Sequence, residues 1–355
     1  MRGSARFVAE LRACAKINLT LNVTGKRTDG YHELESVMQS VSLCDDVTVT
    51  VTAPDADARS RDCRASEADA PRIRLTIEPG RGFPGTLDIP ADGRNTAYRA
   101  ALEFLRETGL PFDVAIHIRK RIPVAAGLAG GSADAAAVLR ALNGVAGQMD
   151  ETGGVRLTSE TGAARRSGLV GARLTAERLR AVGARVGADV PFCLSGGAAL
   201  ATGIGERLRP LPPLPPGLSI VLANPGFAVS TAWVFGRYSL APGQEIERLS
   251  KMTHTMIQSL EENRIDDFWD QARGSLFNVL ESVAIPAFPA IGLLKENLRA
   301  QGAHCALMSG SGATVFALFK RADIARAAAR GLRRKGGWAL VCQAVPGVGK
   351  EETRQ

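Results

Sequence analysis

An α+β fold in two domains is what this chain predicts, on three observations. Segments that alternate apolar and polar residues, such as 16–24 (KINLTLNVT) and 112–119 (FDVAIHIR), are interleaved with segments whose apolar residues recur at helical spacing. A length of 355 residues is enough for two cores. Between the halves, LRPLPPLPPG (208–217) carries prolines that continue neither a helix nor a central strand and suit a semi-rigid connection. The expected division is 1–208, a linker 209–217, a second domain 218–345 and a frayed tail 346–355.

In KINLTLNVT, Ile17, Leu19, Leu21 and Val23 share one side and Lys16, Asn18, Thr20, Asn22 and Thr24 the other, so a half-buried strand is expected. Lys16 and Asn18 then project the same way about 7 Å apart. They read either as a polar pair at one location or as the solvated face of a sheet. Thr28, Asp29 and Gly30 form a turn, and YHELESVMQSVSL after it fits a short helix or a strand. VTVTVTA (47–53) alternates as a strand, whereas 53–71 is a polar insertion with little to bury. IRLTIEP resumes as a strand. NTAYRAALEFLRETG opens on a capping Asn95 or Thr96 and puts Ala97, Ala101, Leu102 and Leu105 on one helical face. FDVAIHIRKRIP is a further strand that feeds into a glycine loop.

That loop, PVAAGLAGGSADAA (123–136), sets Gly127, Gly130 and Gly131 ahead of Ser132 and a run of alanines. Glycine admits positive φ and close backbone approach, and alanine is the strongest helix former, so a loop passes abruptly into a helix capped by Ser132. Ala135, Val138, Leu139, Leu142 and Val145 give the helix an apolar face to dock on a sheet. Its outward N-terminus, with free N–H groups and the positive dipole end, then favours an anion. A phosphate cradle and an ordinary glycine loop both fit these letters. A Walker loop does not, because Ser132 and Ala133 follow Gly131 where lysine is required. The dinucleotide fingerprint fails on spacing, and no HRD or DFG tripeptide occurs.

Residues 147–171 read as an inserted surface loop, and LTAERLRAVGARVG as a helix ending at glycine. GADVPF places Asp189 in a turn before a strand over PFCLSGGAALATG. The second half opens with the strand LSIVLANP, continues through helical patterns at 244–264 and 291–300, and closes on CALMSGSGATVFALF (305–319). The last is two strands around a corner at Gly310 and Gly312, which a plain hairpin turn also explains.

The net charge of +8 fits an acidic ligand such as a nucleotide or diphosphate, and equally nucleic acid. Aromatics at 5% and no basic run interleaved with them argue against a platform for single strands. Cys14, Cys44, Cys63, Cys193, Cys305 and Cys342 lie far apart without a CxxC pair, and MRGSARFVAELRA has no apolar core of signal length. Reduced thiols in a cytoplasmic protein are therefore expected. His32, His117, His254 and His304 include no HExxH, so zinc is not expected; nor is a membrane span, since no apolar run is long enough.

Four stretches taken together resemble the GHMP kinase superfamily. PVAAGLAGGSADAA is similar to its glycine and serine loop, and MSGSGATVFALF to its C-terminal glycine motif. AKINLTLNVTGKRTDGYHELESVMQSV and GADVPFCLSGGAALATGIGERL resemble the branch that takes a cytidine diphosphate substrate. The likeness covers most of residues 10–320 apart from the two insertions. It implies a two-domain GHMP kinase fold: an N-terminal α/β domain resembling ribosomal protein S5 domain 2, a C-terminal ferredoxin-like domain, and an active site in the cleft between them.

The resemblance also implies ATP-dependent phosphorylation of the 2-hydroxyl of a cytidine-diphosphate-linked methylerythritol, in the non-mevalonate route to isopentenyl diphosphate. ATP and Mg²⁺ are the implied cofactors, with no protein ligand to the metal assigned. The implied partners are the small-molecule cytidine diphosphate substrate and ATP, not nucleic acid or membrane, for a monomer or homodimer. Lys16 and Asp189 match the catalytic pair, Asn18 a contact near the phosphorylated hydroxyl, Tyr31 and His32 the grip on cytosine, and Phe235 an aromatic on its other side. Pro123, Val124, Ala125, Ala126, Gly127, Leu128, Ala129, Gly130, Gly131, Ser132 and Ala133 match the ATP phosphate loop, with Asn95 and Lys120 as weaker nucleotide contacts. Ala125, Ala126, Ala129 and Ala133 depart from a more glycine- and serine-rich pattern. Because backbone N–H groups hold the phosphates, alanine is expected to be tolerated where φ stays negative. Another small-molecule kinase of the superfamily, a basic RNA-binding protein and a nucleotide sensor are the competing readings.

Overall fold

The computed structural model describes residues 6–52, 72–83, 88–148, 173–262, 265–334 and 337–347. The insertion expected at 53–71 lies outside the described residues, as do all but the first two residues of that at 147–171 and the tail from 348. In chain order the N-terminal half runs β1 (Arg6–Asn18), β2 (Thr20–Lys26), β3 (His32–Thr52), β4 (Ile73–Pro79), α1 (Thr96–Thr108), β5 (Asp113–Lys120), α2 (Gly130–Ala146), α3 (Ala176–Val186), α4 (Val190–Ser195), β6 (Ala198–Gly203) and β7 (Arg207–Leu211). The C-terminal half follows with β8 (Ser219–Asn224), α5 (Thr231–Arg237), α6 (Gly243–Glu262), α7 (Ile265–Ser275), β9 (Phe277–Asn278), α8 (Glu281–Ala287), α9 (Pro289–Ala300), β10 (Cys305–Met308), β11 (Val315–Phe319), α10 (Ala322–Arg334) and β12 (Trp338–Cys342).

β3 is the spine of the first sheet. The segment that fitted helix or strand joins the valine-rich run behind it into one strand, whose early residues pair β2 and β6 and whose later residues pair β1 and β5. Helices α1 to α4 cover one face of this sheet through Phe104, Val138, Leu142, Val182 and Phe192. The second sheet, ordered β10-β11-β8-β12, is buried on both sides. Ile220, Leu222, Phe316 and Leu318 point to the core shared with Ile17, Val37 and Leu260, while Val221, Ala223, Val315 and Ala317 point to the core under α8, α9 and α10. The short β9, from the C-terminal half, pairs β2 in parallel and stitches the halves together.

Several expectations change. The polar side of KINLTLNVT is buried rather than solvated: Lys16 is 5% exposed and Asn18 1%. The stretch is also two strands, broken at Leu19. The expected linker 209–217 begins inside β7, an edge strand that among the described residues pairs only β6, a position where Pro210 is tolerated. Cys14 and Cys44 are joined in a disulfide, against the expectation of reduced thiols. They lie 30 residues apart in sequence, but the β1–β3 register sets them directly opposite with Cα atoms 3.9 Å apart. Cys193, Cys305 and Cys342 are free and buried.

The glycine loop departs from expectation at its helix. α2 starts at Gly130, so Ser132 lies inside the first turn, and Ala129 stands at the cap with no side-chain bond. Ala129 (φ 56°) and Ala125 (φ 48°) both take the left-handed conformation, so φ does not stay negative at two of the departing alanines. The loop is held instead by the second glycine corner. Ser309 donates its hydroxyl to the Gly127 carbonyl at 2.9 Å, and a Cβ on Gly127 (φ 75°) would lie 2.1 Å from the Ser309 carbonyl oxygen. The corner is therefore a docking surface as well as a turn. Gly127→Ala is expected to lose about 2–4 kcal/mol from backbone strain and overpacking. Ala129→Gly is expected to gain about 0.5–1 kcal/mol, as relief of left-handed strain outweighs the added freedom of the unfolded chain. Urea unfolding of the two variants beside the parent checks both signs.

Candidate active site

Where the halves meet there is a cavity of about 920 Å³. Its walls include the ends of β1 and β3, the glycine loop, Asp189, α5 and the second glycine corner. Lys16 enters it because the β1–β3 register shifts between Cys14 and Lys16, an irregularity that re-aims a side chain. The Lys16 amide donates to the Leu128 carbonyl in the loop at 3.1 Å. Its ammonium donates to Asn18 Oδ1 at 2.7 Å, Asn18 Nδ2 donates to Ser36 Oγ at 2.8 Å, and Ser36 Oγ donates to the Thr20 carbonyl at 2.5 Å. A buried relay thus fixes the lysine at both ends.

Asp189 lies in a turn as expected, but the turn leads into α4, with Asp189 at its N-cap and Pro191 helping to start it, and the expected strand, β6, begins only at Ala198. Its carboxylate makes no capping bond and its side chain stays 31% exposed toward the cavity. Asp189 Oδ2 lies 3.7 Å from Lys16 Nζ. That is longer than a charge-assisted hydrogen bond of about 2.7–2.9 Å, so a third oxygen can share the pair.

Along the loop wall, the first N–H groups of α2 carry no side-chain cap, and the dipole end faces the cavity. Lys120 and Asn95 line the same wall, but their polar groups are already engaged. Asn95 accepts from the Ala97 amide at 2.8 Å to cap α1 and donates to the Pro90 carbonyl at 2.9 Å. Lys120 donates to Asp45 Oδ2 at 2.5 Å and Asp134 Oδ2 at 2.7 Å. Burial works against the Lys120 charge, and the two carboxylates override it and raise its pKa. Burial also pushes the Asp134 carboxyl up to about 7, against the pull of Lys120.

At the opposite end, Tyr31 is exposed, and the rings of His32 and Phe235 stand 5.5 Å apart and tilted by 37°. Ser230 caps α5 by accepting from the Trp233 amide, and Arg237 lies 4.2 Å over the Trp233 ring, which steadies the helix that carries Phe235. Burial, with Lys26 close by, lowers the His32 pKa. Sequence reasoning missed Ser36, Asp45, Asp134, Ser309 and Ser311. Asp134 stood within the quoted loop, but nothing in the letters paired it with Asp45.

Similarity searches fall on this architecture. Residues 95–197 match the family described as GHMP kinases N terminal domain, and residues 256–337 match GHMP kinases C terminal. The chain is therefore an ATP-dependent small-molecule kinase of the GHMP type, with the expected two-domain α+β fold of two sheets. A curated relative from Geobacter sp. (strain M21), named 4-diphosphocytidyl-2-C-methyl-D-erythritol kinase, is 38% identical over 93% of this chain and 96% of its own. One of the same name from Bacillus pumilus is 38% identical over 91% of this chain and 92% of its own. A crystal structure of 4-(cytidine 5'-diphospho)-2C-methyl-D-erythritol kinase aligns at a TM-score of 0.62 and 32% identity, covering 95% of this chain and 99% of that one. Homoserine kinase from Cytophaga hutchinsonii, at TM-score 0.61 and 17% identity over 94% of this chain and 95% of its own, shares the fold alone. The chain belongs to the 4-diphosphocytidyl-2-C-methyl-D-erythritol kinase family.

The electrostatics of the aromatic end give a direct check. By NMR, His32 is expected to titrate below the ordinary histidine value of about 6.5. Lys26→Met, by removing a neighbouring positive charge, is expected to move that midpoint upward.

Proposed function

We propose that the protein transfers the γ-phosphoryl group of ATP to the 2-hydroxyl of 4-diphosphocytidyl-2-C-methyl-D-erythritol, giving the 2-phosphate and ADP, in the methylerythritol phosphate route to isopentenyl diphosphate. The observation that carries this reading is the Lys16–Asp189 pair standing in one cavity with the uncapped start of α2. Phosphoryl transfer asks mainly for in-line placement and neutralisation of charge, and these groups supply both.

The acceptor hydroxyl sits between Lys16 Nζ and Asp189 Oδ2. Its oxygen forms the new bond to the γ-phosphorus as the bond to the β–γ bridging oxygen breaks and ADP leaves. The hydroxyl proton passes to Asp189, coupled to phosphoryl movement because an alcohol is far less acidic than a carboxylic acid. Lys16 stabilises the developing charge, and the Asn18–Ser36 relay keeps its ammonium aimed. Amides of residues 130–132 hold the phosphates, with Gly127 letting the loop lie close.

Mg²⁺ accompanies the triphosphate and supplies charge neutralisation on it. Ser132 and Asp189 line the same cavity and would offer it hard oxygen donors. Tyr31, His32 and Phe235 take the cytosine ring, which selects this alcohol over smaller ones. The same reading divides the chain into two domains at the proline-rich stretch, with the site between them.

The test is ADP release from Mg-ATP with the cytidyl alcohol beside mevalonate, homoserine and galactose. Preference for any of the other three would overturn the proposal. Asp189→Asn and Lys16→Ala are each expected to fold and to lose about 10²–10⁴ in kcat. Phe235→Ala is expected to raise KM for the cytidyl alcohol about tenfold and leave KM for ATP unchanged.

A further inference from the structure

The geometry points to Lys120 as a positioning residue: by holding Asp45 on β3 and Asp134 in α2, its one ammonium fixes the two ends of the phosphate loop against each other and so sets the affinity for ATP. This rests on the kinase reading above, although its test does not require turnover. The loop leaves the sheet at Arg121 and re-enters regular structure at Gly130. At the entry, Asp45 Oδ1 accepts from the amides of Arg121 at 2.5 Å and Ile122 at 2.8 Å. At the exit, Asp134 lies in the opening turns of α2. Lys120 Nζ joins the two carboxylates at 2.5 and 2.7 Å.

The cluster is sealed. Lys120 is 3% exposed, Asp45 0% and Asp134 4%, and Asp134 Oδ1 is buried with no partner among the described residues. Lys120 is therefore the hydrogen-bond donor that holds the exit. Its own backbone is pinned as well, since its carbonyl accepts from the Gly80 amide at 2.7 Å. A Cβ on Gly130 would come 3.0 Å from Ile122 Cγ2 and 3.3 Å from Lys120 Nζ, so the exit rests directly on the entry and on the ammonium. Displacing either end would spread the α2 amides away from the phosphates. Because the bonds reach the loop and not the aromatic end, the cytidyl alcohol should be indifferent to them.

Lys120→Met leaves two buried carboxylates without a cation and can fail to fold on that ground alone. Asp134→Asn avoids this, because Asp45 keeps Lys120 as its counter-ion. The double variant Lys120→Met/Asp134→Asn removes one charge of each sign. Calorimetric titration with Mg-ATP and, separately, with the cytidyl alcohol reads the effect. Asp134→Asn is expected to weaken Mg-ATP binding about tenfold and the alcohol less than twofold, and the double variant to bind Mg-ATP at least as poorly as Asp134→Asn. A purely structural role would weaken both ligands together. That result, an Mg-ATP affinity of Asp134→Asn within twofold of the parent, or parent-like affinity in the double variant would overturn the assignment. Parent protein that binds Mg-ATP but transfers no phosphoryl group would sink the kinase reading and leave the assignment standing.

Discussion

A single backbone hydrogen bond, from the Lys16 amide to the Leu128 carbonyl, sets the distance between the ammonium and the loop proposed to hold the phosphates. The bond ties the end of β1, just past the register shift after Cys14, to the middle of the loop. The ammonium is then held from the far side by Asn18 and Ser36. With both ends fixed, little reorganisation is left for the moment of transfer, which is how preorganised charge lowers a barrier.

The second constraint is shape. The corner at residues 309–312 presses on Gly127 so closely that no side chain fits, and Thr231 meets Ser311 at 2.9 Å, tying α5 to the same corner. The corner and α5, both from the C-terminal half of the chain, thus form one frame for the loop. Strain at Ala125 and Ala129 is tolerated because this frame, together with the buried charges at Lys120, over-determines the loop.

Much of the fold was legible because period and caps are local signals. The helices at 96–108, 176–186, 243–262 and 289–300 and the strands at 73–79, 113–120 and 219–224 follow from spacing and from residues such as Asn95 and Gly187. What escaped depends on tertiary partners. Alternation told which residues of 16–24 share a side, but not that α6 and the loop cover the polar one. The Cys14–Cys44 pair needs the register of a strand that itself read two ways. Pro191 opened a helix where a strand was expected. As for the site, Lys16, Asp189, Tyr31, His32 and Phe235 entered through resemblance of motifs, and the structure brings them to one cavity. Asp45 and Lys120 are 75 residues apart and carry no shared pattern, so only the folded chain couples them.

If Lys16 and Asp189 grip one acceptor hydroxyl, they act as a unit and cannot be removed independently. The most direct measurement is a double-mutant cycle on kcat with Lys16→Ala, Asp189→Asn and both together. The account expects the double variant to be no more than a few-fold slower than the worse single one, since either loss already dismantles the unit. Losses that multiply would mean that the two groups work at separate places, and would contradict it.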